Sequence, residues 1–386
     1  MSQSVAAPRA VFIAMFVAVL MMAALLTMPA LLGALARSYG LGTGDLGLLA
    51  AIETLAYVVG TYLASDKPIV KLGTWVLGAG IAIIAGNLAC MVLANRIAFI
   101  VFRPVVGIGS GIGFGYALKY CSRSANPDRS FGILTAALST MMVFGFQAIG
   151  HFSTIYGAEA VFILYAGLAS IALTCAILSR PRRSPDQPRA ATSAFRLPSP
   201  LVLLGLGAVV LSFLAQGSIW AFLERLGVAH GFALPAVTNA MSVFAIVGII
   251  GSLGAAALPA RVSRALALIL ALVVLLPGLF FLYAPLPLAA FTLGCAIAGF
   301  YWNFTLSLQL GILAGIDPSG RGAVLGGMVS GVGSGLGPLL AGLLVVGTNF
   351  QPVGWFASVL VTAGVACILV VNRGAASAAR ALSPAR

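Results

Sequence analysis

Read for polarity alone, the chain is a succession of long apolar runs separated by short polar breaks. Runs of about 20 mostly apolar residues, the length that crosses a hydrocarbon core as a helix, fall near 11–36, 46–64, 74–94, 97–118, 132–153, 158–178, 201–223, 233–258, 265–283, 286–313, 322–346 and 353–371. The runs are continuously apolar and lack the two-residue alternation of membrane strands, so they predict helices rather than a barrel. The first follows a segment carrying one cation, Arg9. It is too long for the apolar core of a signal peptide and no clear cleavage site ends it, so it counts as a span. The expectation is an all-α integral membrane protein with twelve transmembrane helices.

The longest polar break, RPRRSPDQPRAATSAFRLPS at 180–199, lies almost at the midpoint. Its Pro, Arg and Ser content predicts a cytoplasmic linker between two six-helix bundles, 1–179 and 200–386. Loop cations set the orientation. Alternate loops, counted from the N-terminus, hold 17 Lys and Arg, including Lys67, Lys71, Lys119, Arg129, Arg261, Arg264 and Arg321. The opposite loops hold 3, namely Arg37, Arg96 and Arg225. This bias predicts cytoplasmic termini and an even number of spans.

Composition agrees with the pattern. Only 8% of the 386 residues are charged and 61% are hydrophobic, too little polar surface to coat a water-soluble body of this size. The net charge of +13 is accounted for by the loop bias and implies no nucleic acid. Cys90, Cys121, Cys175, Cys295 and Cys367 all lie in or beside apolar runs with no C-x-x-C spacing, which reads as core packing rather than disulfide or metal chemistry. With two histidines, His151 and His230, no metal site is expected.

Two six-span bundles suggest an internal duplication. A shift of 192 superposes Gly107 on Gly299, Arg129 on Arg321, Gly145 on Gly337 and Cys175 on Cys367. The ten identities in 81 positions over 98–178 are about what this composition gives by chance. The weight rests instead on span boundaries and loop arginines aligning under one ungapped shift.

Several local motifs carry a resemblance. Span four reads Arg103-Pro-Val-Val-Gly107-Ile-Gly109-Ser-Gly111, an Arg followed by closely spaced glycines. The loop after span two has Asp66-Lys67 with a further cation at Lys71, while Tyr62 and Ile69 stand at positions of a G-x-x-x-D-[RK]-x-G-[RK]-[RK] pattern that call for glycine. Span eleven has Gly333-x-x-x-Gly337-Pro338-x-x-Ala341-Gly342. Together with twelve spans, a 6+6 split and a basic central loop, these resemble the major facilitator superfamily of secondary transporters. The resemblance implies a gating role for Asp66, Lys67 and Lys71, and an inward-facing Arg103 tied to proton coupling. The span-eleven motif is similar to one the family carries in span five. Its displaced position argues for a bending helix, with Gly337 and Pro338 as the flexible point, rather than for antiport.

Ionisable residues deep in a span are functional candidates by default. Glu53 and Arg103 each lie six or seven residues into a span from the outer side, roughly 10 Å deep. Opposite charges at equal depth can pair, or each can snorkel outward separately. Burial favours the neutral acid and a nearby guanidinium favours the carboxylate. A switch in which Glu53 carries the proton and Arg103 senses its charge follows. In the second half, shifts of 188 and 192 place Met241 and Cys295 opposite them, so the pair is one-sided. His151, near the outer end of span five, is a further proton-coupling candidate, with an interfacial role as the alternative. Glu224-Arg225 reads as an interfacial pair.

The resemblance places spans one, four, seven and ten around a central cavity. Span seven offers Gln216 and Trp220; span ten offers Tyr301, Trp302 and Asn303; Gln147 and Asn239 can add polar contacts. Aromatics with a few amides suit a ligand with an apolar body and a polar group. Tyr301 and Trp302 lie about 100° apart on a helix, so one of the two is expected to face inward.

The expected function is a secondary active transporter of a small organic solute across a bacterial inner membrane, working by alternating access, coupled to protons and acting as a monomer. A proton-driven drug or metabolite efflux pump is the alternative. A polytopic membrane enzyme is a different class, and no nucleophile elbow or zinc motif supports it. ATP is not implied, since no G-x-x-x-x-G-K-[ST] loop occurs, and no cofactor is expected.

Overall fold

The computed structural model describes residues 7–382 apart from 66, 68, 180–198, 259–261 and 317–320. Its described residues form fourteen helices: α1 Pro8–Met21, α2 Ala23–Leu26, α3 Met28–Tyr39, α4 Thr43–Ser65, α5 Ile69–Leu93, α6 Arg96–Ser122, α7 Pro127–Leu178, α8 Pro200–Ala221, α9 Leu223–Ala229, α10 Leu234–Ala256, α11 Arg264–Tyr283, α12 Leu288–Ile316, α13 Arg321–Leu344 and α14 Gln351–Leu382. Ten are long and apolar enough to cross a membrane.

Two departures from one helix per span make these ten consistent with twelve crossings. At about 1.5 Å per residue, the 52 residues of α7 are far longer than a bilayer core. They are two crossings meeting at Gly157, whose φ of 74° and ψ of −169° break the helix. The first crossing is instead divided into α1, α2 and α3 by a loosened turn at Met22 and by Thr27, whose φ of −114° and ψ of 23° leave the helical region. Pro29, two residues after the second break, has no N–H to continue the ladder. The Thr27 side chain is anchored there by its bond to the Ala23 carbonyl at 2.7 Å and by the Tyr165 hydroxyl at 2.7 Å.

Local signals fix the ends. Asn95, Asn126, Ser199 and Ser263 accept backbone N–H bonds as N-caps of α6, α7, α8 and α11. Pro8, Pro127 and Pro200 occupy first helical positions, where a missing N–H costs nothing.

The chain divides into two compact units, Met1–Thr192 and Ser193–Arg386. The division falls inside the 180–199 segment, of which 180–198 lie outside the described residues. Within unit 1, α4 packs tightly on α6. A Cβ on Gly107 would collide with the Glu53 carbonyl, and one on Gly60 with the Ile108 carbonyl. Unit 2 repeats the arrangement between α10 and α12, where a Cβ on Gly299 would strike the Phe244 carbonyl and one on Gly251 the Phe300 carbonyl. These contacts fix the register between the halves. The shift is 192 from α6 to α12, as the sequence suggests, but 191 from α4 to α10. Phe244, not Met241, therefore stands where Glu53 does.

Candidate functional site

Glu53 on α4, Asn87 on α5 and Arg103 on α6 meet inside unit 1. The Arg103 Nε donates to Glu53 Oε2 at 2.8 Å and its Nη2 donates to Glu53 Oε1, a two-pronged carboxylate–guanidinium pair. Its Nη1 donates to Asn87 Oδ1 at 3.2 Å, and Asn87 Nδ2 in turn donates to the Ile83 carbonyl at 2.8 Å. Glu53 and Arg103 are each 1% exposed. Removing two charges from water is costly, and the return depends on good geometry and on bonds to the remaining donors. Asn87 supplies one of those bonds. The two charges are thus paired rather than snorkelling apart. Asn87 escapes a search for ionisable residues, and its only signal is an amide in the middle of an apolar run.

His151 stands at an exposed position of α7, its ring 5.4 Å from that of Phe152. Gln147, one turn earlier, and Asn239 on α10 are also exposed. At the α4–α5 junction Asp66 lies outside the described residues. The Lys67 ammonium sits 4.7 Å from the centre of the Trp75 ring, and the Lys67 carbonyl accepts from Lys119 Nζ. Lys71 is exposed. On α13, Gly337 lies against α8, and the Ser218 hydroxyl donates to its carbonyl at 2.9 Å. Pro338 follows inside the helix.

The substrate candidates of unit 2 are brought together in part. Gln216 on α8 with Tyr301 and Trp302 on α12 line one small cavity, alongside Phe244. Its space open to the centre of a water molecule is about 10 Å³, room for about one water. Trp220 completes an aromatic group beside it, with its ring 5.1 Å from Phe244 and 6.1 Å from Trp302. Tyr301 and Trp302 both line the cavity, where the helical angle predicts one. The cavity lies between their two directions and the side chains are long enough to reach it from both sides. Asn303 turns elsewhere, toward Gly248 on α10. Gln309, one face along α12, donates to the Ser212 hydroxyl at 2.9 Å. Glu224, read from sequence as interfacial, is 1% exposed, in the first turn of the short helix α9 that follows the break at Phe222.

Among the described residues no cluster of His, Cys, Asp or Glu could hold a metal. The arrangement therefore offers one charge-coupled site in unit 1 and one uncharged, aromatic-lined recess in unit 2.

Residues 11–330 match the family model described as Major Facilitator Superfamily. Among solved structures the chain is similar to a mutant of the nucleoside transporter NupG, at 13% identity and TM-score 0.74, covering 94% of this chain and 99% of that one. It is also similar to a bacterial homolog of the human lysosomal transporter Spinster in an inward-facing, unoccupied conformation, at 16% identity and TM-score 0.65, covering 96% and 95%. At such identities the likeness is one of fold. No curated protein sequence matches the chain.

Proposed function

The chain belongs to the major facilitator superfamily, and we propose that it is a secondary active transporter that moves a small organic solute by alternating access, driven by protons. The carrying observation is the buried, two-pronged Glu53–Arg103 pair braced by Asn87. In the paired state Glu53 holds its negative charge against the guanidinium. Any conformational change that withdraws Arg103 leaves a carboxylate in an apolar surround, where taking up a proton is the least costly outcome. Proton uptake and helix rearrangement then become one event, and a two-state protein can convert that into coupled transport. His151 is a further proton-handling residue in this scheme, and Asp66, Lys67, Lys71, Gly337 and Pro338 take part in gating.

Substrate contacts are assigned to Gln216, Trp220, Tyr301 and Trp302, with Asn303, Gln147 and Asn239 as outlying polar contributors. Because Arg103 is occupied by Glu53, the one cation buried to 1% exposure among the described residues of unit 1 is already engaged and does not call for an anionic substrate. The proton-driven efflux reading, with a neutral or cationic solute, is the second reading that this occupancy favours. The loop-charge bias supports a bacterial inner membrane with cytoplasmic termini, and the protein is proposed to act as a monomer.

Proteoliposomes with an imposed pH gradient test the coupling. Solute accumulation should follow the gradient, collapse with a protonophore, and be lost in Glu53→Gln. Gradient-driven accumulation by Glu53→Gln at the wild-type rate would overturn the role of the pair.

A further inference from the structure

Three of the buried polar atoms of unit 2 that lack a hydrogen-bond partner are concentrated in one place. Both ends of the Gln216 side-chain amide and the Tyr301 hydroxyl are buried with no hydrogen-bond partner, in residues 4% and 2% exposed. Buried polar groups in native structures are nearly always paired, so such a cluster calls for a missing partner. All of these atoms belong to residues lining the same water-sized cavity. The wall is otherwise apolar: Phe244 and Trp302 line it, and Trp220 packs on both at 5.1 and 6.1 Å. None of its lining residues is an acid, a base or a histidine.

We propose that this recess is the anchoring point for an uncharged aromatic ligand bearing a carboxamide or lactam edge, an N–H donor beside a C=O acceptor. The Gln216 amide presents a coplanar acceptor and donor that match such an edge in two parallel bonds. The Tyr301 hydroxyl reaches the ligand's remaining lone pair or proton. The space accepts the polar edge only, in the place one water would take, while the ring lies against the half-buried Trp220 and Trp302. A carboxylate or an ammonium entering the recess would lose its hydration and find no counter-charge among the lining residues, so the recess discriminates by charge. The inference rests on the transporter reading of the preceding subsection and supplies its substrate class.

Three probes of one ring size separate the possibilities: benzamide, benzoate and benzylamine, titrated into the purified full-length chain in detergent while tryptophan fluorescence and thermal stability are followed. Benzamide should quench fluorescence saturably and raise the melting temperature. Benzoate and benzylamine should bind at least about tenfold more weakly; Tyr301→Phe, which removes one hydrogen bond, should weaken benzamide by about tenfold, and Gln216→Met, which removes two, by more than that. Both variants remove an unsatisfied buried group, so without ligand they should melt at or above the wild-type temperature, which distinguishes loss of the site from loss of the fold. A charged probe that binds as well as benzamide, wild-type benzamide affinity in both variants, or binding of none of the three overturns the proposal. Equilibrium binding needs no gradient. A protein that binds benzamide as expected but shows no gradient-driven transport therefore fails the coupling reading alone.

Discussion

The second and fourth spans of unit 1 and the eighth and tenth spans of unit 2 make the same close helix pair and carry different chemistry on it. In each, a glycine of the later span rests on a backbone carbonyl of the earlier one, Gly107 on Glu53 and Gly299 on Phe244. The 192 shift also superposes Gly86 on Gly278, each met by a branched side chain of the neighbouring span, Val106 or Ile297. In this register the polar group Glu53, Asn87 and Arg103 corresponds to Phe244, Leu279 and Cys295. The backbone contact is thus retained while the charge is not. The polar side chains buried nearest this pair in unit 2 are amides and hydroxyls instead, among them Gln216, Tyr301 and Gln309. A scaffold held by glycine contacts tolerates this exchange, because the backbone contact at Gly107 or Gly299 is made to a main-chain carbonyl whichever side chain the earlier span carries there. Proton handling and solute recognition can then be assigned to different halves.

The largest expected effect comes from opening the charged group. Glu53→Leu leaves a guanidinium that cannot shed its proton buried beside apolar groups. It should lower stability by about 3–5 kcal/mol in thermal or denaturant unfolding of the detergent-purified protein. Arg103→Leu should cost less, since the remaining carboxyl can take up a proton. The double variant should be more stable than Glu53→Leu alone. Phe244→Leu and Cys295→Ala in unit 2 have no charge to strand. If they destabilise as much as Glu53→Leu, the contrast between the halves is wrong.

Next in size is Asn87→Leu, which removes the partner of Arg103 Nη1 and should cost about 1.5–3 kcal/mol, whereas Leu279→Met in the corresponding place should be nearly neutral. Gly107→Ala and Gly299→Ala sharpen the comparison from the other side. Each forces a methyl onto a backbone carbonyl, with an expected cost of about 1–3 kcal/mol. The two costs should agree if the helix pairs are truly equivalent, and a clearly unequal pair of melting shifts would refute the register. The smallest effect concerns His230, at the end of α9 between Phe232 and Phe291. Burial holds its imidazole below the usual histidine range. The unfolded chain therefore binds more protons than the folded one as pH falls through about 6.5, and stability is lost in that direction. His230→Phe should flatten this acid-side slope in a pH series of melting temperatures.

Hydrophobic run length placed the spans closely. The 265–283 run is matched by α11 Arg264–Tyr283 and the 201–223 run by α8 Pro200–Ala221. Interruptions inside a span were not visible, because Met22 and Thr27 are as compatible with a helix as their neighbours and the break depends on Pro29 and on the tertiary bond to Tyr165. Glu53 and Arg103 were legible because an unpaired charge in hydrocarbon is rarely tolerated. Asn87 was not, since a single amide costs far less and turns up in spans for many reasons. The burial of Glu224 was not legible either, because the break at Phe222 that starts α9 leaves no mark in the hydropathy. The offset of 191 between α4 and α10 depends on which carbonyl each glycine touches, and that is a property of packing alone.

The junction of the fifth and sixth spans has a consequence for how the sequence can drift. The left-handed Gly157 alone separates two helical stretches. The Ala158 N–H is capped by the Ser38 hydroxyl at 2.9 Å, and Tyr39 donates to Glu159 at 2.9 Å. Elsewhere a loop has slack to absorb a gained or lost residue. Here a single insertion or deletion would turn one span by about 100° against the other, moving every side chain on it to a new face. Between Asn126 and Ser179 a change in the number of residues is therefore costlier than most exchanges of one residue for another, Gly157 itself excepted.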